Sequence, residues 1–189
     1  MVENILGGFT LAKITIISGS PSASSRLNGL IQYIRKQLSQ NGHSTALLEV
    51  LDLPPEDLVY ANFNSPAILA AHELVEQADA VIIASPVYKA SYTGVLKSYL
   101  DLLPHKALKY KTIMPVFVAG AQSHLLAIDY SLKPVLAAMG GRKYAMSVYA
   151  TDAMITRTQD EQGAYQFNID ESILLRTDEA IEDLQLLIK

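Results

Sequence analysis

The chain contains no cysteine among its 189 residues. Disulfides, zinc–thiolate sites, iron–sulfur clusters and cysteine nucleophiles are therefore excluded. Histidine is scarce as well. His43, His72, His105 and His124 are the full set, and they form no H-x-x-H or H-E-x-x-H pair. A basic field is missing too: Lys plus Arg number 15 against 19 Asp plus Glu, a net charge of −4. That balance disfavours nonspecific nucleic-acid binding, so no nucleic-acid partner is expected. Long hydrophobic runs are also absent. Thr112 to Ile128, the longest stretch without a formal charge, holds Pro115, Gly120, Gln122, Ser123 and His124. It falls short of the ~20 mostly apolar residues of a membrane-spanning helix, so no membrane partner is expected. Residues 1–12 lack the basic start and apolar core of a secretory signal and are read as a short leader. The expected localisation is cytoplasmic.

Hydrophobic residues make up 50% of the chain and charged residues 18%, a composition that builds a core and rules out a disordered chain. The length suits one domain, assigned here to residues 13–189. Along it, short β-branched runs alternate with helical periods. Strands are predicted at Ile14–Ile17, Thr45–Leu51, Ala80–Ser85, Thr112–Ala119 and Tyr144–Thr151. Helices are predicted at Leu27–Leu38, Pro66–Ala78, Gly94–Leu103, Leu125–Met139 and Asp170–Lys189. Leu53 to Ser65 reads as a Pro-containing loop, and Asp152 to Asn168 shows no clear period. Five nearly all-apolar strands separated by helices imply an α/β fold with a parallel sheet covered on both faces. Such sheets bind ligands at the carboxyl ends of their strands.

Three loops lie at those ends. After the first strand, Ser18 to Asn28 reads SGSPSASSRLN and runs straight into a helix. Unpaired N–H groups of a helix start, serine hydroxyls and the Arg26 guanidinium together suit a phosphate. A serine-rich N-cap is the other reading. The loop matches neither G-x-G-x-x-G nor the P-loop pattern, which disfavours both nucleotide folds. After the third strand, Ser85 to Gly94 brings Tyr88 and Tyr92, whose rings either stack on a planar heterocycle or pack at the rim. Val95, Leu96, Tyr99, Leu100 and Leu103 form a core stripe, and Lys97 a solvated position. After the fourth strand, Gly120, Ala121 and Gln122 offer hydrogen bonds to a carbonyl-rich ring. His124 either touches the ligand or caps and packs, and the remaining histidines read as surface residues. No paired carboxylates, nucleophile elbow or metal cluster accompanies these loops. Phosphate, stacking and ring contacts without acid–base groups suit a redox cofactor that brings its own reactivity.

At these loops the sequence resembles the NADPH-dependent FMN reductases of the flavodoxin-like superfamily, and most of all those of two-component alkanesulfonate monooxygenase systems. The matching segments are Gly19-Ser20-Pro21 with Ser25-Arg26, the string from Pro55 to Ala61, Pro86-Val87-Tyr88-Lys89, Asp101 to Pro104, and the string from His124 to Leu136. The resemblance implies a flavodoxin-like three-layer sandwich whose five parallel strands run in the order 2-1-3-4-5. It implies FMN held at the phosphate by Ser20, Ser22, Ser25, Arg26 and Asn28. Pro86, Val87, Tyr88, Lys89, Ser91, Thr93 and Gly94 would surround the ribityl chain and ring, and Gly120, Ala121 and Gln122 the ring's polar edge. NADPH or NADH would reduce the flavin, and reduced FMN would pass to a partner monooxygenase that releases sulfite from alkanesulfonates. A homodimer or homotetramer is implied, with Tyr130 as an inserted residue that makes a π-type bulge at the tetramer interface and favours flavin release. The chain departs from the family pattern at Ser22, where Arg is frequent, and at Ala121, where a second Gly is frequent. The alternatives are a quinone or azo reductase of the same fold that retains FMN, a flavodoxin-type electron carrier, and a non-enzymatic module.

Overall fold

The computed structural model describes residues 5–6 and 9–188, so most of the leader assignment, residues 1–4 and 7–8, lies outside the described residues. Ile5–Leu6 (β1) and Phe9–Thr10 (β2) pair as a short antiparallel ribbon. The sheet is built from Lys13–Ser18 (β3), Ser44–Glu49 (β4), Ala80–Pro86 (β5), Thr112–Ala119 (β6) and a fifth strand in two pieces, Lys143–Tyr144 (β7) and Val148–Thr151 (β8). All pairings in it are parallel, in the order β4-β3-β5-β6 with β7 and β8 both on the far edge of β6. Counted along the sheet strands, this is the expected 2-1-3-4-5.

The strands read as unbroken apolar runs because both faces are covered. Alternate residues serve opposite layers. Ile14, Ile16, Ile82, Met114 and Val116 meet Leu30 and Ile34 of α1 (Leu27–Gln40) and Ile181 and Leu184 of α6 (Glu171–Leu187). Ile17, Val81, Ile83, Ile113 and Phe117 meet the other layer. That layer comprises α3 (Pro66–Glu76), α4 (Gly94–Leu100) and α5 (Lys133–Ala138), contributing Val75, Leu96, Tyr99 and Leu136 among others. The predicted core stripe is therefore core, and Lys97 pairs with Asp101 at 2.6 Å on the outside.

Four expectations change. The fifth strand is interrupted at residues 145–147, and its register on β6 shifts by one residue, from Ile113↔Tyr144 to Val116↔Val148. Pro115 explains the break. Ala145 N–H donates to Ile113 O, whereas Val118 O accepts from Val87 beside β5. Odd-numbered positions of β6 thus turn their backbone groups toward the fifth strand, and Pro115 has no N–H to offer there. The segment read as a loop contains a helical turn, α2 (Pro55–Val59), opened by proline at its first positions. The predicted helix from Leu125 instead starts as a 3₁₀ turn at Gln122–His124 and is α-helical only from Lys133; the π-helix between them, Ile128–Leu132, is the bulge expected at Tyr130. The segment without period is a β-ribbon, Ile155–Gln159 (β9) against Tyr165–Ile169 (β10).

The histidines also divide differently from the expectation. His105 is exposed, but His43 is buried and His72 half-buried. His43 Nδ1 accepts from Ala12 N–H at 3.2 Å, which leaves its proton on Nε2, 2.8 Å from the Gln185 side-chain amide. The ring ties the entry to β3 to the C-terminal helix and is held neutral, because burial lowers its pKa from 6.5. Burial lowers His72 in the same direction. A lowered folded pKa means the stabilisation is complete above about pH 6.5 and is lost as pH falls through the folded value. Acid titration of the unfolding midpoint is therefore expected to show a loss below pH ~6.5. His43→Gln should flatten that slope, leaving the part due to His72. An unchanged slope would show that His43 does not titrate with folding.

Candidate functional site

The carboxyl ends of β3, β5, β6 and β8 converge on one cavity of about 230 Å³. Its wall holds Ser22, Ser24, Ser25 and Arg26 from the first loop and Pro86, Val87 and Tyr88 from the second. Val118, Ala119 and Gly120 close the third side, and Asp152 and Arg157 the fourth. A wider, open groove shares Val87 and Tyr88 and adds Lys89, Ala90 and His124. Three loops separated by about 100 residues in sequence thus meet at one place because the strand order reverses beside β3.

The first loop holds its own shape. Ser20, buried, donates its hydroxyl to Ser22 O at 3.0 Å and accepts from Ser22 N–H at 3.3 Å. Ser22 and Ser24 share a hydroxyl–hydroxyl bond of 2.9 Å. Ser25 Oγ accepts from Leu27 N–H at 3.3 Å, and Asn28 Nδ2 donates to Ala23 O at 2.8 Å. No acidic residue lies in the first turn of α1, so its N-terminal field is open to an anion. Arg26 is clamped on two sides. Its Nε donates to Ile155 O at 2.8 Å, and its Nη1 lies 3.9 Å from Asp152 Oδ1.

Gly19 seats this loop. A Cβ there would lie 2.4 Å from Leu96 Cβ of α4, closer than packing allows. Only glycine lets the end of β3 pass that helix. Thr93 locks the same junction: buried, it donates Oγ1 to Gly19 O at 2.5 Å and accepts from Leu96 N–H at 3.1 Å, capping α4. Thr93 N–H donates in turn to Ser85 Oγ at 3.0 Å. The second loop turns back between Tyr88 and Ser91, with Tyr88 N–H to Ser91 O at 2.8 Å and Ser91 N–H to Tyr88 O at 3.1 Å. Its corner residues Lys89 and Ala90 have φ of 51° and 63°. Two adjacent non-glycine residues in the left-handed region are a strained arrangement of the kind that concentrates at binding sites. The third loop is fixed from below by Tyr149, whose hydroxyl donates to Ala121 O at 2.6 Å.

Of the residues singled out in the sequence, Ser22, Ser25, Arg26, Pro86, Val87, Tyr88 and Gly120 line the cavity, and Lys89 the groove. Ser20, Asn28, Ser91 and Thr93 hold the loops in shape, as their hydrogen bonds show. Gly94 opens α4 with nothing within 4 Å of where its Cβ would stand. Ala121 and Gln122 are exposed at the start of the third loop. Tyr88 is 53% exposed over the groove, while Tyr92 packs against the core. His124 is half-buried and lines the groove. Five wall residues were not among the candidates. Ser24 sat inside the loop that was named and Val118 and Ala119 at the end of the predicted fourth strand, but Asp152 and Arg157 came from the stretch without period. The signal present was an arginine at every-other spacing from Ile155 in a short strand.

Tyr130 lies at the middle of the π-helical stretch, 79% exposed. Ser131 Oγ donates to Ala127 O at 2.5 Å, and Lys133 pairs with Asp129 at 2.6 Å, so the distorted turn is internally tied.

The model of the NADPH-dependent FMN reductase family covers residues 12–153. An FMN reductase (NADPH) of Pseudomonas putida is 40% identical over 151 residues, 80% of this chain and 77% of that protein. An FMN reductase (NADPH) of Escherichia coli is 41% identical over 143 residues, 76% of this chain and 75% of that protein. Among solved structures, the apo form of the NADH:FMN oxidoreductase EMOB superposes with a TM-score of 0.81 at 32% identity, covering 94% of this chain and 90% of that one. The chain belongs to the NADPH-dependent FMN reductase family.

Proposed function

We propose that the protein is an NAD(P)H:FMN oxidoreductase that releases reduced FMN to a partner monooxygenase, in a pathway of sulfur acquisition from alkanesulfonates. The observation that carries the reading is the cavity at the strand ends. Its wall joins three serine hydroxyls, two guanidiniums and one carboxylate to the apolar Pro86–Val87 edge and the exposed Tyr88 ring. These residues fit FMN. The serine loop and the open N-terminus of α1 suit its phosphate, and the groove past Tyr88 and Lys89 suits its ring. When bound, FMN supplies the hydride-accepting chemistry. The protein's part is to bind, orient and exclude. Ser22, Ser25 and Arg26 hold the phosphate, the Lys89–Ala90 turn presents Tyr88, and Gly120 lets backbone approach the ring. Ser20, Asn28, Ser91, Thr93 and Gly94 keep these groups in place, and Ala121 and Gln122 border the ring's polar edge. The wide groove would also leave room for a nicotinamide. One domain from residue 13 onward carries the function, and its expected compartment is the cytoplasm. No helix among the described residues is long and apolar enough to cross a membrane.

The π-helix supports release over retention. A shifted hydrogen-bond ladder costs stability and persists where function requires it. Tyr130, Leu126 and Leu125 are exposed on this stretch, and Tyr60, Val59 and Phe63 near α2. These two apolar patches are the surfaces through which an oligomer, dimer or tetramer, is read to form. Deleting Tyr130 is expected to restore a regular helix and give a yellow protein that keeps FMN through gel filtration. A colourless, folded deletion variant would remove the π-helix from the account.

The direct test is steady-state NADPH and NADH oxidation by flavin-free protein, with and without FMN. Oxidation that saturates with added FMN, by protein that purifies nearly colourless, supports the releasing reductase. Yellow protein that turns over only with a quinone or azo dye would replace that reading with the retained-flavin alternative.

A further inference from the structure

The ribbon β9–β10 lies beyond the region that the family model matches, which ends at residue 153. Its position is tightly specified. Ile155 is fully buried in the core beside α1 and α6. Phe167 sits directly on Gly29 of α1, where a Cβ would approach Phe167 Cβ to 2.7 Å. In the ladder Ile155 opposes Ile169, Arg157 opposes Phe167, and Gln159 opposes Tyr165. Residues two apart share a face, so Arg157 lies on the same side as buried Ile155 and as Phe167, while its own side chain stays exposed at the cavity edge.

Arg157 Nη1 donates to the carbonyl of Ser24 in the serine loop, and its guanidinium lies 5.3 Å from the Tyr165 ring centroid. These contacts hold it in the wall of the cavity with Ser22, Ser24, Ser25 and Arg26. Arg26 already faces Asp152 at 3.9 Å. Among the described residues, no carboxylate lies within salt-bridge distance of Arg157. The cavity therefore keeps one uncompensated positive charge, and it comes from the ribbon.

We infer that Arg157 is a phosphate-binding residue of this chain, delivered by the C-terminal ribbon, and that it sets the preference for FMN over riboflavin. The ribbon acts twice, since its Ile155 carbonyl also orients Arg26. This assignment rests on the reductase reading above and extends it to a segment outside the matched region.

The test is equilibrium binding of FMN and of riboflavin, followed by flavin fluorescence, with wild type, Arg157→Ala and Arg157→Lys. Loss of one or two charge-assisted bonds weakens binding about tenfold to a hundredfold. Arg157→Ala should weaken FMN by that factor and leave riboflavin unchanged, and Arg157→Lys should recover part of the loss. A thermal melt of each variant reports whether the ribbon remains folded. Equal weakening of both flavins would make Arg157 a brace for the Ser24 loop and overturn the assignment. So would unchanged FMN binding, or a rise confined to the KM for NADPH. Wild-type protein that neither binds nor reduces FMN would overturn the reductase reading itself. Wild type that binds FMN beside a variant that binds it equally well overturns only Arg157.

Discussion

Gly19→Val is expected to lose both flavin binding and a large share of folding stability. The new Cβ would fall 2.4 Å from Leu96 Cβ and 3.2 Å from its Cα, positions fixed by the helix backbone. Relief requires the end of β3 or the start of α4 to move. Movement breaks Gly19 N–H to Ala84 O at 2.8 Å and Thr93 Oγ1 to Gly19 O at 2.5 Å. Overpacking of this kind costs about 3 kcal/mol. In a chain of this size that lowers Tm by roughly 6–12 °C. Because Thr93 both caps α4 and holds the junction, the displaced segment is the serine loop itself. A second substitution sharpens the test. Leu96→Ala removes the 3.1 Å contact with Leu96 Cγ but keeps the Cβ at 2.4 Å and the Cα at 3.2 Å, so it should not rescue Gly19→Val. Rescue by Leu96→Ala, or normal FMN binding by Gly19→Val, would show that the junction yields more readily than its geometry indicates.

Arg26→Ala is expected to weaken FMN binding by about tenfold to a hundredfold, the range for a charge-assisted contact to phosphate. It should also destabilise the fold by about 1 kcal/mol, because Ile155 O loses its donor. The two effects separate with Arg26→Lys. Lysine keeps the charge but not the rigid fork that reaches the Ile155 carbonyl and the cavity at once. Binding should recover in part, and the melting temperature should stay low. Fluorescence titration with FMN and a thermal melt, run on both variants, check this. Binding unchanged in Arg26→Ala would place the phosphate elsewhere in the cavity.

The fold was largely legible because its strands are buried on both faces. Ile14–Ile17, Ala80–Ser85 and Thr112–Ala119 are apolar without alternation, and only a covered parallel sheet explains such runs. The helix α1 was legible from its period, and the cavity-lining serine loop from serines placed between a strand and a helix. The errors have separate causes. Pro115 reads as one residue in an apolar strand, but its effect falls on the neighbouring strand, at residues 145–147. The 3₁₀ start at Gln122–His124 carries no periodicity that marks it, whereas the π-helix around Tyr130 was legible through the family resemblance alone. His43 looks like a surface residue after Asn41-Gly42, yet its partners Ala12 and Gln185 lie 31 and 142 residues away.

The same distinction runs through the site. Local sequence determined the parallel sheet, the three loops at its strand ends and the residue types that suit phosphate and ring, since each depends on neighbours a few positions apart. Tertiary structure decided which of those residues face the cavity and which only shape it. Thr93 was read as a contact and serves as a cap, because its hydroxyl is taken by Gly19 O and Leu96 N–H. Arg157 was invisible as a site residue because its ribbon reaches the serine loop only when Phe167 closes on Gly29. A side chain's job depends on what the fold sets beside it, and a contact spanning 133 residues leaves no trace in the spacing of either partner.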